Sequence, residues 1–136
     1  MSLTPNLILI LIFINLASCT PEQTGRTKKL KVTATAYNNL PAQTNSEHFA
    51  IGAWGDSLKP GMKVIAVSRD LIDSGLVHNT RVYIKGFDEP FLVKDKMNAR
   101  WIKKIDIYMG LDRNKALKWG KKKVNISWEP PKENSN

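Results

Sequence analysis

The chain of 136 residues holds a single cysteine, Cys19, so no disulfide framework can support its fold. Its two histidines, His48 and His78, stand alone in polar segments, and no Cys/His ligand spacing exists. No metal and no cofactor are expected. Ser68, Ser74 and Ser127 have no histidine placed to complete a triad, which argues against a serine hydrolase. Acid is scarce, with 12 Asp and Glu against 21 Lys and Arg and a net charge of +9. No apolar run reaches the length of about 20 residues that a spanning helix needs. Internal repeats are lacking too.

What is present begins with an apolar core, Leu7 to Leu16, in a stretch of 18 residues without a charged side chain. That length suits the hydrophobic region of an export signal. The sequence Leu16-Ala17-Ser18-Cys19 follows and resembles a bacterial lipobox. The resemblance implies cleavage before Cys19 and lipidation of that cysteine, giving a membrane-anchored lipoprotein. With Thr20 in the next position, the outer membrane facing the periplasm is the expected site in a Gram-negative cell. Residues 1–18 are therefore read as signal peptide, 19–28 as lipidated cysteine and flexible tether, 29–128 as one domain, and 129–136 as a disordered tail. Export disfavours nucleic acid as the partner of the basic surface. The anionic partners outside the cytoplasm are peptidoglycan, with its stem-peptide carboxylates, and lipid headgroups. A monomer is expected.

Residues 29–128 alternate in short β-like runs. Leu30 to Tyr37 places Leu30, Val32, Ala34 and Ala36 on one face. Further strands are predicted at 63–68, 81–85, 91–94, 105–108 and 124–128, with a long loop from Asn38 to Gly61. A single helical turn is predicted at 70–75, and a short helix follows Asp112 as N-cap and stops at Gly120. Six strands and one or two helices in about 100 residues make a mainly β chain, and a small six-stranded barrel hides the strand edges.

Two carboxylates, Asp95 and Asp106, lie eleven positions apart, the first at the end of an apolar run and the second inside Ile105-Asp106-Ile107-Tyr108. Together with Thr35-Ala36-Tyr37, the run Val64 to Val67 and Ala116-Leu117-Lys118-Trp119-Gly120, this order resembles the three-aspartate (3D) domain. That family includes the barrel of membrane-bound lytic transglycosylase A and is akin to rare lipoprotein A. The resemblance implies a double-psi β-barrel acting on peptidoglycan glycan strands. It implies a general acid at Asp95 with Asp106 as its partner; Ser68 takes the place of the first aspartate, and Asp70, two residues on, either replaces it in substrate binding or is a solvated carboxylate. A lytic transglycosylase needs one protein acid, because the C6 hydroxyl of muramic acid attacks its own anomeric carbon. Tyr37, Trp54 and Trp101 are candidate sugar platforms, and Lys104 lies among the lysines around the aspartates. A non-catalytic peptidoglycan-binding lipoprotein of the same fold is the alternative.

Overall fold

The computed structural model describes residues 25–38 and 50–132. The expected export signal, Cys19, residues 39–49 and the last four residues lie outside them. Among the described residues, eight strands and two helices follow in chain order: β1 (Lys28–Tyr37), β2 (Ala50–Ile51), β3 (Ser57–Leu58), β4 (Val64–Val67), α1 (Arg69–Asp73), β5 (Arg81–Ile84), β6 (Phe91–Lys96), β7 (Lys104–Tyr108), α2 (Arg113–Trp119) and β8 (Lys122–Trp128). Six of the strands close a barrel in the order β1-β7-β4-β6-β5-β8, while β2 and β3 form a separate hairpin. Two parallel pairs, β1–β7 and β4–β6, meet at the antiparallel β4–β7 seam. These crossed connections make the barrel double-psi.

Strand alternation explains the core. Val32, Ala34, Ile65, Val67, Val82, Ile84, Val93, Ile105, Ile107, Val124 and Ile126 fill the interior. Six strands leave a narrow bore, and β-branched side chains suit it. Each buried Val or Ile contributes about 1.5–3 kcal/mol of transfer free energy. The helix α2 is capped as its sequence predicts: Asp112 accepts from the Lys115 backbone N–H at 2.8 Å, and Gly120 ends it at φ 64°.

Residues 50–61, the described part of the expected long loop, contain more order than their Gly and Pro content suggests. The β2–β3 hairpin covers the outside of the sheet, where Leu58 packs with Val64 and Tyr108 in a second small cluster. Tyr108 donates its hydroxyl to the Leu58 carbonyl oxygen at 3.3 Å. Two-residue strands are too short for periodicity to reveal. β6 also runs two residues further than its apolar pattern, reaching Lys96, and that extension decides how the two aspartates stand.

Candidate functional site

In β6, Phe91 and Val93 face the core, so simple alternation would send Asp95 inward as well. A bulge prevents this. Ile65 pairs with Val93 but its neighbour Ala66 pairs with Asp95, leaving Lys94 as the extra residue. The bulge turns Asp95 to the outside, level with Ala66. On the other flank of β4, Ala66 pairs with Asp106, and Asp106 pairs in turn with Thr35 of β1. One row therefore crosses four strands: Thr35, Asp106, Ala66, Asp95. Two interstrand steps of about 4.8 Å place the Asp95 and Asp106 backbones about 10 Å apart. Only the Ala66 methyl stands between them in the row, and it is buried.

The two carboxylates are held differently. Asp95 Oδ1 accepts the Ala53 backbone N–H at 2.9 Å and the Lys96 backbone N–H at 2.8 Å. Asp106 Oδ1 accepts the Thr35 hydroxyl at 2.9 Å. Burial pushes the Asp106 carboxyl above the usual carboxylate range; the Thr35 hydrogen bond and the Lys104 charge oppose this, and the Asp95 charge adds to it. Tyr37 lies two residues beyond Thr35 on the same face of β1. Its ring is tilted against Tyr108 at a centroid distance of 5.4 Å. The Tyr37 hydroxyl is buried and has no hydrogen-bond partner among the described residues. Burial first, then the charges of Asp95 and Asp106, push its ionisation well above that of an ordinary tyrosine. Tyr37 thus brings a protonated, unspent donor beside the aspartates, and its ring face is spent on Tyr108.

The loop of the β2–β3 hairpin sits on the bulge. A Cβ on Gly52 would lie 2.1 Å from the Lys94 carbonyl oxygen, so only glycine allows this approach. Asp56 closes the loop from its other end, accepting from Lys94 Nζ at 2.8 Å and bonding His78 Nε2. The Lys94 hydrogen bond, followed by the contributions of His78, holds Asp56 below the usual carboxylate range. Trp54 stacks on the His78 ring at 5.0 Å and 21°, with Lys96 Nζ 5.1 Å from its centroid. Trp101 carries Lys104 Nζ at 3.5 Å and the Arg100 guanidinium at 4.9 Å. Both indoles are half-buried and flank the aspartate row with cations laid on them.

No family model matches the chain, and no curated protein matches it. Among solved structures it is similar to the apo expansin of Clavibacter michiganensis, at a TM-score of 0.49 and 15% identity, over 79% of this chain and 53% of that one. A point mutant of the same expansin in complex with cellohexaose gives a TM-score of 0.44 and 15% identity, over 80% and 53%. The chain spans about half the length of these expansin chains.

The structure brings Asp95, Asp106, Tyr37 and Lys104 into one neighbourhood, with Trp54 and Trp101 at its edges. Asp70 serves the backbone: its Oδ2 accepts the Lys103 N–H at 3.0 Å. Ser68, in the place of a third aspartate, is fully buried, and its hydroxyl oxygen accepts the Lys104 N–H at 3.0 Å. Both residues pin the start of β7. Sequence reasoning missed Thr35, Asp56 and His78. Thr35 had a signal, since Thr33, Thr35 and Tyr37 share the face opposite Val32 and Ala34. Asp56 and His78 had none, because only docking of the hairpin brings them together.

Proposed function

We propose that this barrel is a cell-envelope lipoprotein domain of the 3D type that cleaves peptidoglycan glycan strands as a lytic transglycosylase. The observation that carries the reading is the row Thr35–Asp106–Ala66–Asp95, two carboxylates on either side of one alanine, one of them raised by burial. The roles follow from their surroundings. Asp106, whose carboxyl is pushed up, is the general acid. Asp95, whose Oδ1 is held by two backbone N–H groups, is the neighbouring charge that helps keep the Asp106 proton in place. This reverses the division that the family resemblance implied.

In the reaction, Asp106 gives its proton to the glycosidic oxygen as the bond from C1 of N-acetylmuramic acid breaks. The C6 hydroxyl oxygen of the same sugar closes on C1, and its proton passes to the Asp106 carboxylate, restoring the acid. Trp54, Trp101 and Lys104 line the edges, where lysines meet stem-peptide carboxylates.

Incubating the chain from Thr20 onward with purified peptidoglycan is expected to release 1,6-anhydro-muropeptides, read by mass spectrometry. Cosedimentation with peptidoglycan without such products would replace this reading with the binding-protein alternative. Absence of both would end the peptidoglycan assignment. Anchoring at Cys19 is part of the same proposal, and its support is the sequence Leu16-Ala17-Ser18-Cys19. In cells, Cys19→Ser is expected to move the protein from the membrane to the soluble fraction; an unchanged distribution would refute the lipid anchor.

A further inference from the structure

The side of the barrel opposite the aspartate row has a character of its own. The row is centred on β4, and three steps around the barrel from β4 is β8, flanked by β5 and β1. Outward residues of these three strands stand in register: Tyr83 with Ser127 and Lys29, then Asn125 with Lys31, then Lys123 with Thr33. Lys85 donates its backbone N–H to the Asn125 carbonyl oxygen, which puts it at the end of the middle row. Arg81 precedes Tyr83 on the same face of β5. The outward positions of the three strands hold no acid. Glu129 borders the face at the end of β8, and Asp88 and Glu89 border it in the β5–β6 turn, with Glu89 drawn to Lys63 at 3.4 Å. Among the described residues, Lys29, Lys31, Arg81 and Lys85 make no ion pair. An open groove of about 610 Å³ runs between Lys29, Lys31, Tyr83, Lys85, Asn125 and Ser127. Tyr83 stands on the β5 flank of this surface, between Arg81 and Lys85, and is 52% exposed.

We propose that this β5–β8–β1 face docks on an anionic lipid bilayer, with headgroup phosphates along the lysine-lined groove and the Tyr83 ring at headgroup level. Four observations favour lipid over a soluble polyanion. The surface is a sheet face and not a deep channel. Its cations are spread over three strands without interleaved acids, so charge complementarity extends over an area. A half-exposed tyrosine among its cations matches the preference of tyrosine for the membrane interface. Lastly, β1 enters the face at Lys28, nine residues after Cys19. On the anchor reading, that span reaches about 30 Å at most. One lipid anchor joined to a basic patch holds a protein on a membrane far more firmly than either alone. Docked this way, the barrel turns its aspartate row away from the bilayer and towards the wall.

The test uses the chain from Thr20 onward, which keeps the whole barrel and carries no lipid. In cosedimentation, phosphatidylglycerol-rich vesicles are expected to bind it and phosphatidylcholine vesicles are not, with binding lost at high salt. Each lysine near the surface is worth about fivefold in partitioning, so the triple variant Lys29→Gln, Lys31→Gln, Lys85→Gln is expected to lose about a hundredfold. Removing charge at Arg100 and Lys103, on the cleft side, is expected to cost far less. Equal losses in the two variants would overturn the assignment of the face, as would wild-type binding by the triple variant. Equal binding to both vesicle types would overturn its electrostatic basis. If soluble polyphosphate binds with the same lysine dependence and vesicles do not, the occupant is a soluble polyanion and the membrane proposal falls. Circular-dichroism melts of each variant exclude unfolding as the cause. Peptidoglycan cleavage by the triple variant should match wild type, so this proposal and the glycan reading fail by different observations.

Discussion

Asp106→Asn is expected to abolish release of anhydro-muropeptides and, at neutral pH, to raise the melting temperature. The first effect follows from removing the general acid, worth about 10²–10⁴ in rate. The second follows from the direction of its shift. Burial raises the folded-state Asp106 above the unfolded value of about 3.9. A group shifted that way contributes stability that is fully present below the unfolded value and is lost as pH rises through the folded value. At neutral pH the unfolded chain therefore gains more from ionising this carboxyl than the folded domain does, a cost that the neutral amide removes. Asn retains an oxygen to accept the Thr35 hydroxyl, so the 2.9 Å hydrogen bond is not sacrificed. The gain expected is about 1 kcal/mol, or about 4–8 °C in Tm for a domain of this size. It should vanish as pH falls below the unfolded value, where wild type and variant are both neutral. A variant less stable than wild type at neutral pH would show that Lys104 and Thr35 outweigh the burial, and the acid role of Asp106 would lose its physical basis. Loss of turnover with retained peptidoglycan binding separates the chemical role from a collapsed site.

Legibility in the sequence followed the range of the interactions. β1, β4, β5, β7 and β8 alternate or run apolar, and periodicity finds them because each residue reports its own face. The α2 helix was written in Asp112 and Gly120, whose effects act within one turn. The aspartate spacing pointed to a shared cleft, and the barrel topology places the two residues on either side of Ala66. What alternation could not supply is the outward turn of Asp95. By period two Asp95 belongs with Phe91 and Val93 in the core, and the Lys94 bulge that frees it exists only through pairing with β4, a strand some thirty residues earlier in the chain. The relative burial of the carboxylates was equally hidden. It depends on what Thr35, Lys104 and the hairpin leave open to water, and local sequence treats both residues as acids among lysines. Tyr37 was read as a stacking ring because its type suggests one. The ring packs on Tyr108, and the unspent group is its hydroxyl.

The hairpin is the least regular piece of the site and the one on which a single methyl group should have the largest structural effect. Gly52→Ala places a Cβ 2.1 Å from the Lys94 carbonyl oxygen and 3.2 Å from its carbonyl carbon. Both atoms belong to backbone inside the barrel wall, so no side chain can swing aside and the loop itself must lift. Lifting it breaks the Ala53 N–H to Asp95 bond of 2.9 Å, draws Asp56 away from Lys94 and His78, and removes Trp54 from its seat on His78. The expected cost is about 1–3 kcal/mol in stability, as for an overpacked core. A displacement of about 1 Å at the site is expected to cost on the order of 10²-fold in turnover. Gly55→Ala, in the same loop, isolates the steric cause. Gly55 has φ +89° and open space around its Cβ position, so alanine there adds backbone strain of about 1–2 kcal/mol and touches nothing. The two variants should therefore lose comparable stability and differ sharply in activity, with the Ala53 and Lys96 amide resonances shifted by Gly52→Ala and nearly unmoved by Gly55→Ala. Equal activities would mean that the hairpin does not hold Asp95. Loss confined to Gly52→Ala would show that the bulge, the loop seated on it and the carboxylate beneath act as one unit.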